Sequence, residues 1–245
     1  MFAQGNRSPI GFGVSLTPIG KTMLIGYAAI YIFELVFQHW LAVPIYQWLA
    51  LSPVNSGAFR IWQILTHPVI HNPGAPIGFL INCLMFYFFA GTVESALGTR
   101  RFIRLYVIAA GGGALIGSLF SAMSAFSAPF GGMMPSLLSL IVIFGLLQPE
   151  STILLMFVLP VKAKFISYAT IAVTFLTFLA KANPYGAYHL GGILAAYLYF
   201  RPPSHLLNPN WWRWKLYEQA QKKRRSRFKV INGKDKDDDD RPTIH

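Results

Sequence analysis

Six stretches of this chain, at about 22–44, 77–95, 102–122, 132–148, 153–179 and 186–200, read as membrane crossings, a span needing roughly 20 apolar residues. They predict an all-α membrane protein, a six-helix bundle over residues 22–200. With 54% hydrophobic and 12% charged residues, the chain has too little polar material to cover a soluble globule of its length. Residues 1–21 form a short N-terminal segment, and 201–245 a tail. The first apolar stretch is read as a retained span, because no small-residue cleavage site follows it closely.

The third stretch is interrupted by Gly111, Gly112, Gly113 and Gly117, which suit close helix packing. The fifth carries Pro160, Lys162 and Lys164 near its start, which mark its membrane edge. Between the first two stretches lies a connection from about 47 to 76 with Trp62, His67, His71 and several prolines. It is too apolar for a solvated linker and too broken to span, so an interfacial or partly embedded loop is expected.

Lysine and arginine fix an orientation. Arg7 and Lys21 precede the first stretch; Arg100, Arg101 and Arg104 follow the second; Lys162 and Lys164 follow the fourth; twelve more follow the sixth. Six crossings put 19 of the 21 basic residues on one side, leaving Arg60 and Lys181 on the other. Both termini are therefore expected in the cytoplasm, as in a bacterial inner membrane or its equivalent.

The tail interleaves Trp211, Trp212 and Trp214 with Arg213 and Lys215, and continues through Lys222–Arg225 and Arg227. Aromatics beside cations fit a segment at headgroup level, its basic cluster drawn to anionic lipid. It matches no nucleic-acid-binding motif, so no nucleic-acid partner is expected. The acidic run Asp235 and Asp237–Asp240 reads as a solvated tip.

Within the spans the residue that stands out is His189, in Gly186-Ala187-Tyr188-His189-Leu190-Gly191-Gly192. A histidine at hydrocarbon depth is a functional-site hypothesis whose partner lies elsewhere in the chain. Glu34, in the first stretch, fits either a hydrogen-bonded carboxyl or one facing a water-filled cleft. His67 and His71 have no carboxylate or third histidine spaced to complete a metal site, and the single cysteine, Cys83, excludes a disulfide; neither metal nor cofactor is expected.

The segments Trp62–Thr66, Phe79–Asn82, Gly91–Glu94, Gly98–Phe102, Phe130–Gly132 and His189–Gly192 recur in the order found in rhomboid intramembrane serine proteases, which this chain resembles over about 58–200. The resemblance implies a compact six-helix bundle, a lateral loop after the first span, and a serine–histidine dyad below the membrane surface. The family's nucleophile opens the fourth span in a Gly-x-Ser-Gly motif, and its base comes from the sixth.

Alignment on Phe130-Gly131-Gly132 puts Met133 at the variable position, Met134 at the serine and Pro135 at the following glycine. Methionine offers no nucleophilic oxygen, so His189 has nothing to activate. Asn82, the family's oxyanion-site asparagine, is present, but Gly78 stands where the partnering histidine belongs. Loss of one such donor typically costs ~10² to 10³ in rate. The alternative nucleophile is Ser136, about 200° around the helix from the family's serine at roughly 100° per residue. The resemblance further implies a groove lined by Gly131, Gly132, Met133, Tyr188 and Gly192, and a structural network of Glu94 with Thr92, Arg100 and Arg101. Tyr188 and His189 are expected to pack, the latter as a neutral histidine hydrogen-bonded to a neighbouring helix.

Three functions are then expected in order. The first is a rhomboid-like pseudoprotease that binds transmembrane helices of client proteins through the lateral opening. The second is an active intramembrane serine protease using Ser136 with His189. The third, a small transporter or channel, has Glu34 as its only mid-span charge and no inverted repeat to support it. The sequence sets no client and no oligomeric state.

Overall fold

The computed structural model describes residues 16–123, 128–155, 159–181 and 184–202. The basic and acidic tail, with the lipid contact expected of it, lies outside the described residues, as does Arg7.

The first helix, α1 (Pro18–His39), is opened by Thr17, whose hydroxyl accepts from the Gly20 N–H at 3.1 Å, with proline at the first helical position. Its inward stripe is Tyr27, Tyr31, Glu34 and Gln38 at spacings of four, three and four, while Ile25, Ile32, Phe33 and Val36 are exposed. Polar groups face protein and aliphatic groups face outward, the pattern expected where the surroundings are hydrocarbon.

The connection after α1 holds two short helices, α2 (Ile45–Leu49) and α3 (Gln63–Thr66), and a 3₁₀ turn (Val54–Ser56). Gln63 organises it. Its Oε1 accepts from the N–H groups of Ser52 (3.1 Å) and Arg60 (3.0 Å), and its Nε2 donates to the Trp48 carbonyl (3.3 Å). The Thr66 hydroxyl donates to the Leu49 carbonyl at 2.6 Å, and the Trp62 indole N–H to the Trp48 carbonyl at 3.1 Å.

Helices α4 (Pro76–Leu97) and α5 (Thr99–Ala122) meet at Gly98, whose φ of 78° and ψ of 151° lie in a region open essentially to glycine alone. Helix α5 runs unbroken through Gly111, Gly112, Gly113 and Gly117. Three of these four glycines explain why it packs intimately on α8 (Pro184–Phe200). A Cβ at Gly113 would sit 2.8 Å from the Tyr188 carbonyl oxygen, one at Gly117 2.9 Å from the Tyr188 Cβ, and one at Gly112 would collide with the Ala195 methyl.

Between α4, α5, α8 and α7 (Ala163–Lys181) stands α6 (Met134–Leu147), with Pro135 in its first turn and nearly every side chain buried. Its 14 residues rise about 21 Å, short of a ~30 Å hydrocarbon layer. Ahead of it, residues 128–133 run without regular structure from the surface at Ala128 to the interior at Phe130, Gly132 and Met133. Phe130 pairs with Leu51 through two hydrogen bonds of 2.7 Å, so this non-helical backbone is satisfied by protein.

The stretch 153–179 is not one helix. An antiparallel hairpin of β1 (Thr152–Leu155) and β2 (Leu159–Lys162) precedes α7. Pro160, which lacks an N–H, is compatible with such an edge strand and not with a helix interior. At the hairpin base the exposed Glu150 carboxylate accepts from Lys162 (2.8 Å) and Lys164 (2.6 Å). Among the described residues four helices, Pro18–His39, Pro76–Leu97, Thr99–Ala122 and Ala163–Ala180, are long and apolar enough to cross a membrane.

Candidate functional site

The start of α6 is held from three sides. Gly132 donates its N–H to the His67 carbonyl at 2.9 Å, and the Met133 N–H points to His71 Nε2 at 3.4 Å. Gly132 has a φ of 101° and a Cβ there would meet His71 Cδ2 at 3.3 Å; a Cβ at Gly131 would meet Tyr46 Cε2 at 2.9 Å. Glycines at these positions let the His67–His71 segment close on the α6 entrance. From α8, Tyr188 fills the remaining side, fully buried, stacked on Phe130 at 5.1 Å and edge-on to His67 at 5.8 Å. Its hydroxyl donates to the Gly132 carbonyl at 3.4 Å.

The dyad positions do not come together. Met134 is half-buried at the first position of α6. Ser136 is fully buried and donates its hydroxyl to the Tyr106 carbonyl on α5 at 2.7 Å. His189 is half-buried, and its ring lies 5.7 Å from that of Tyr188. The hydrogen bond to a neighbouring helix expected of His189 is not made among the described residues. Adjacent helical residues point about 100° apart, so the slot over Gly117 that admits Tyr188 turns His189 aside. Asn82 is half-buried on α4 without a side-chain hydrogen bond among the described residues, and Gly78 is exposed.

The five residues expected to line a groove are packed. Met133 and Tyr188 are wholly buried, Gly131 and Gly132 lie against the loop, and a Cβ on Gly192 would meet the Pro135 Cβ at 2.6 Å and the Ala109 carbonyl oxygen at 3.0 Å. The network around Glu94 also differs from expectation. Its two carboxylate oxygens accept from the hydroxyls of Thr17 and Thr99, at 2.7 Å for the latter, joining the start of α1 to the α4–α5 corner. Arg100 and Arg101 are exposed and form no ion pair among the described residues. Short hydroxyl side chains beside Glu94 satisfy it without carrying a second charge into the bundle.

Sequence reasoning passed over a different cluster. Glu34 is 0% exposed; its Oε2 accepts the His71 backbone N–H at 3.1 Å, and its Oε1 has no partner. Tyr31 is 4% and His71 5% exposed, with ring centroids 6.4 Å apart. The Tyr31 hydroxyl, Gln38 Oε1 and His71 Nδ1 are buried and unpaired as well. Each such group costs ~1–3 kcal/mol relative to one that is satisfied. The sequence marked Glu34 as a carboxyl within a span and His71 as a loop histidine; the signal left unread was the helical spacing of Tyr31, Glu34 and Gln38 on one stripe of α1.

His67 is turned the other way. Its Nδ1 lies 3.1 and 3.0 Å from the carbonyl oxygens of Gln63 and Ile64, which assigns the ring proton there. Burial lowers the pKa values of both loop histidines to about 4, against the smaller opposing pull of nearby carbonyls, and holds both rings neutral at pH 7.

A bundle of apolar helices with aliphatic side chains outward and hydroxyls, carboxyls and imidazoles inward defines a helical integral membrane protein. The chain belongs to the family described as "Eukaryotic integral membrane protein (DUF1751)", which matches residues 21–202. That description places the family in eukaryotes, so the bacterial inner membrane expected from orientation gives way to a eukaryotic membrane. No curated protein is detectably similar to the chain.

Proposed function

We propose that this is a rhomboid-like, six-span membrane protein without a serine nucleophile, which binds transmembrane helices of client proteins and does not cleave them. The observation that carries the reading is Ser136. Its hydroxyl is spent on the Tyr106 carbonyl at 2.7 Å in a fully buried setting, with His189 making no contact to it. With Met134 at the aligned nucleophile position, no hydroxyl and imidazole form an acyl-transfer pair among the described residues.

Helix binding is supported by the way α6 is flanked. Helix α4 packs on α1, α5 and α6, and α7 packs on α6 and α8, so the two helices on either side of α6 share little direct packing. In the six-span arrangement α6 crosses with the 130–133 segment completing its outer end, and both termini lie in the cytoplasm. The tail then reaches anionic lipid through Trp211–Lys215 and Lys222–Arg227.

The test is labelling of the membrane-embedded protein with a fluorophosphonate probe, run beside cross-linking to a transmembrane peptide. The expected result is no labelling, together with peptide binding that survives Ser136→Ala and His189→Ala. Met134→Ser alone should not restore cleavage, since Pro135 and Gly78 remain. Labelling that disappears in Ser136→Ala would falsify the pseudoprotease reading in favour of a Ser136–His189 protease.

A further inference from the structure

Among the described residues, the buried polar side-chain atoms without partners are Tyr31 OH, Glu34 Oε1, Gln38 Oε1, His67 Nε2 and His71 Nδ1. His67 faces α5 and Tyr188, with the Ala110 carbonyl near its ring. The Val69 carbonyl likewise lies near the His71 ring, and the remaining three, Tyr31 OH, Glu34 Oε1 and Gln38 Oε1, are on the inward stripe of α1, beside the His71 turn that Glu34 holds. Unmet buried groups are few in a native interior, and a concentration of them in one place calls for a physical reason.

We infer that this stripe is a recognition site, in which Tyr31, Glu34 and Gln38, with His71 opposite, take the cationic side chain of a lysine or arginine carried in the outer part of a client's transmembrane helix. The inference rests on the helix-binding reading above and names which helices are bound. Three observations choose the ligand.

The site is rich in acceptors. Glu34 Oε1 and Gln38 Oε1 offer lone pairs and the Tyr31 hydroxyl accepts as readily as it donates, so an ammonium with three donors or a guanidinium with five finds acceptors along the stripe. The site also lacks its own cation. The ion pairs among the described residues are those of Glu150 at the hairpin, and a carboxylate at membrane depth calls for an opposite charge. The place is reachable from the side. Glu34 lies five residues before the end of α1, about 7.5 Å along the axis, and α1 packs chiefly on α2 and α4 while Ile25, Ile32, Phe33 and Val36 are exposed.

In the structure the stripe is closed, and α1 must lean away from α4 to admit a partner. The helix stays tethered at its start by Thr17 to Glu94 and midway by the Tyr27–Tyr106 hydroxyl pair at 2.9 Å. Glu34 Oε2 keeps the His71 N–H while Oε1 receives the ligand.

The experiment uses the full chain in proteoliposomes and fluorescent leucine–alanine transmembrane peptides with Lys, Leu or Asp at one guest position near the outer end, binding being read by energy transfer. The Lys peptide should bind about tenfold tighter than the Leu peptide, the scale of a single strong interhelical hydrogen bond, and the Asp peptide weakest. Glu34→Gln and, separately, Tyr31→Phe should each reduce the Lys preference severalfold and leave Leu-peptide binding unchanged. Tyr31→Phe keeps the ring stacked on Phe79 at 4.0 Å, so it serves if Glu34→Gln fails to fold. Equal binding of the three peptides overturns the site but leaves helix binding standing. A Lys preference that survives both substitutions overturns it too, and displacement of the Lys peptide by Mg²⁺ or Ca²⁺ reassigns the stripe to a metal ion. If no peptide binds at all, the proposed function falls and this inference with it.

Discussion

Burial of the two loop histidines ties the stability of this protein to pH. His67 and His71 have folded pKa values of about 4 against a usual 6.5, so the unfolded chain binds protons that the folded one refuses. Above pH 6.5 both states are neutral at these rings and nothing changes. As pH falls from 6.5 towards 4, each histidine withdraws ~1.4 kcal/mol of stability per pH unit, and below 4 the loss levels off. Thermal unfolding in detergent should show a melting temperature that is flat above pH 7 and drops through this window, with a shallower drop in His67→Gln. A melting temperature that rises on acidification would contradict the burial argument.

At the scale of elements, the contact of α5 with α8 depends on glycine where two backbones touch, and two glycines, one on each helix, make the contrast. A Cβ on Gly191 would lie 2.7 Å from the Gly112 carbonyl oxygen, which cannot swing aside, whereas a Cβ on Gly111 meets nothing within 4 Å. Gly191→Ala should therefore destabilise by ~1–3 kcal/mol, the cost of overpacking, while Gly111→Ala should be neutral or stabilise by up to ~1 kcal/mol through helix propensity. Denaturation of the two variants side by side checks this; equal effects would mean α5 and α8 are not in backbone contact. The connection between α1 and α4 rests on Gln63 in the same way. Gln63→Ala strands the N–H groups of Ser52 and Arg60, at ~1–3 kcal/mol for each donor left dry, and should raise proteolysis between 50 and 62 before the helices unfold.

For the whole molecule the deciding measurement is sidedness. In a Cys83→Ala background, single cysteines at both termini and beside Thr99 should react with a membrane-impermeant reagent only from the cytoplasmic face, and one at exposed Asn72 only from the other. Opposite labelling of the two termini would remove the even number of crossings. The proposed lipid contact of the tail is tested by a peptide covering 208–229. Binding to anionic vesicles should fall steeply with salt, because exposed charges are screened over about 8 Å at physiological ionic strength.

What the sequence determined by itself is where apolar length accumulates, since hydropathy along a helix is a local property. The stretches 22–44, 77–95, 102–122 and 186–200 became α1, α4, α5 and α8 within a few residues, 132–148 became the 14-residue α6, and 153–179 divided where Pro160 turns apolar residues into a hairpin. The loop glutamine and threonine in Trp62–Thr66 were visible as a motif, though not their work of holding three backbone segments together. Which side chains meet was left to the tertiary structure, because rotation by one residue moves a side chain about 100° around its helix. That rotation gives the interior to Tyr188 in place of His189, directs Ser136 to the Tyr106 carbonyl, pairs Glu94 with two threonines in place of arginines, and brings Glu34 to a histidine 37 residues away. The bonds of Ser136 to Tyr106, Glu94 to Thr17 and Glu34 to His71 join residues 30 to 77 positions apart, and nothing local to either partner encodes them.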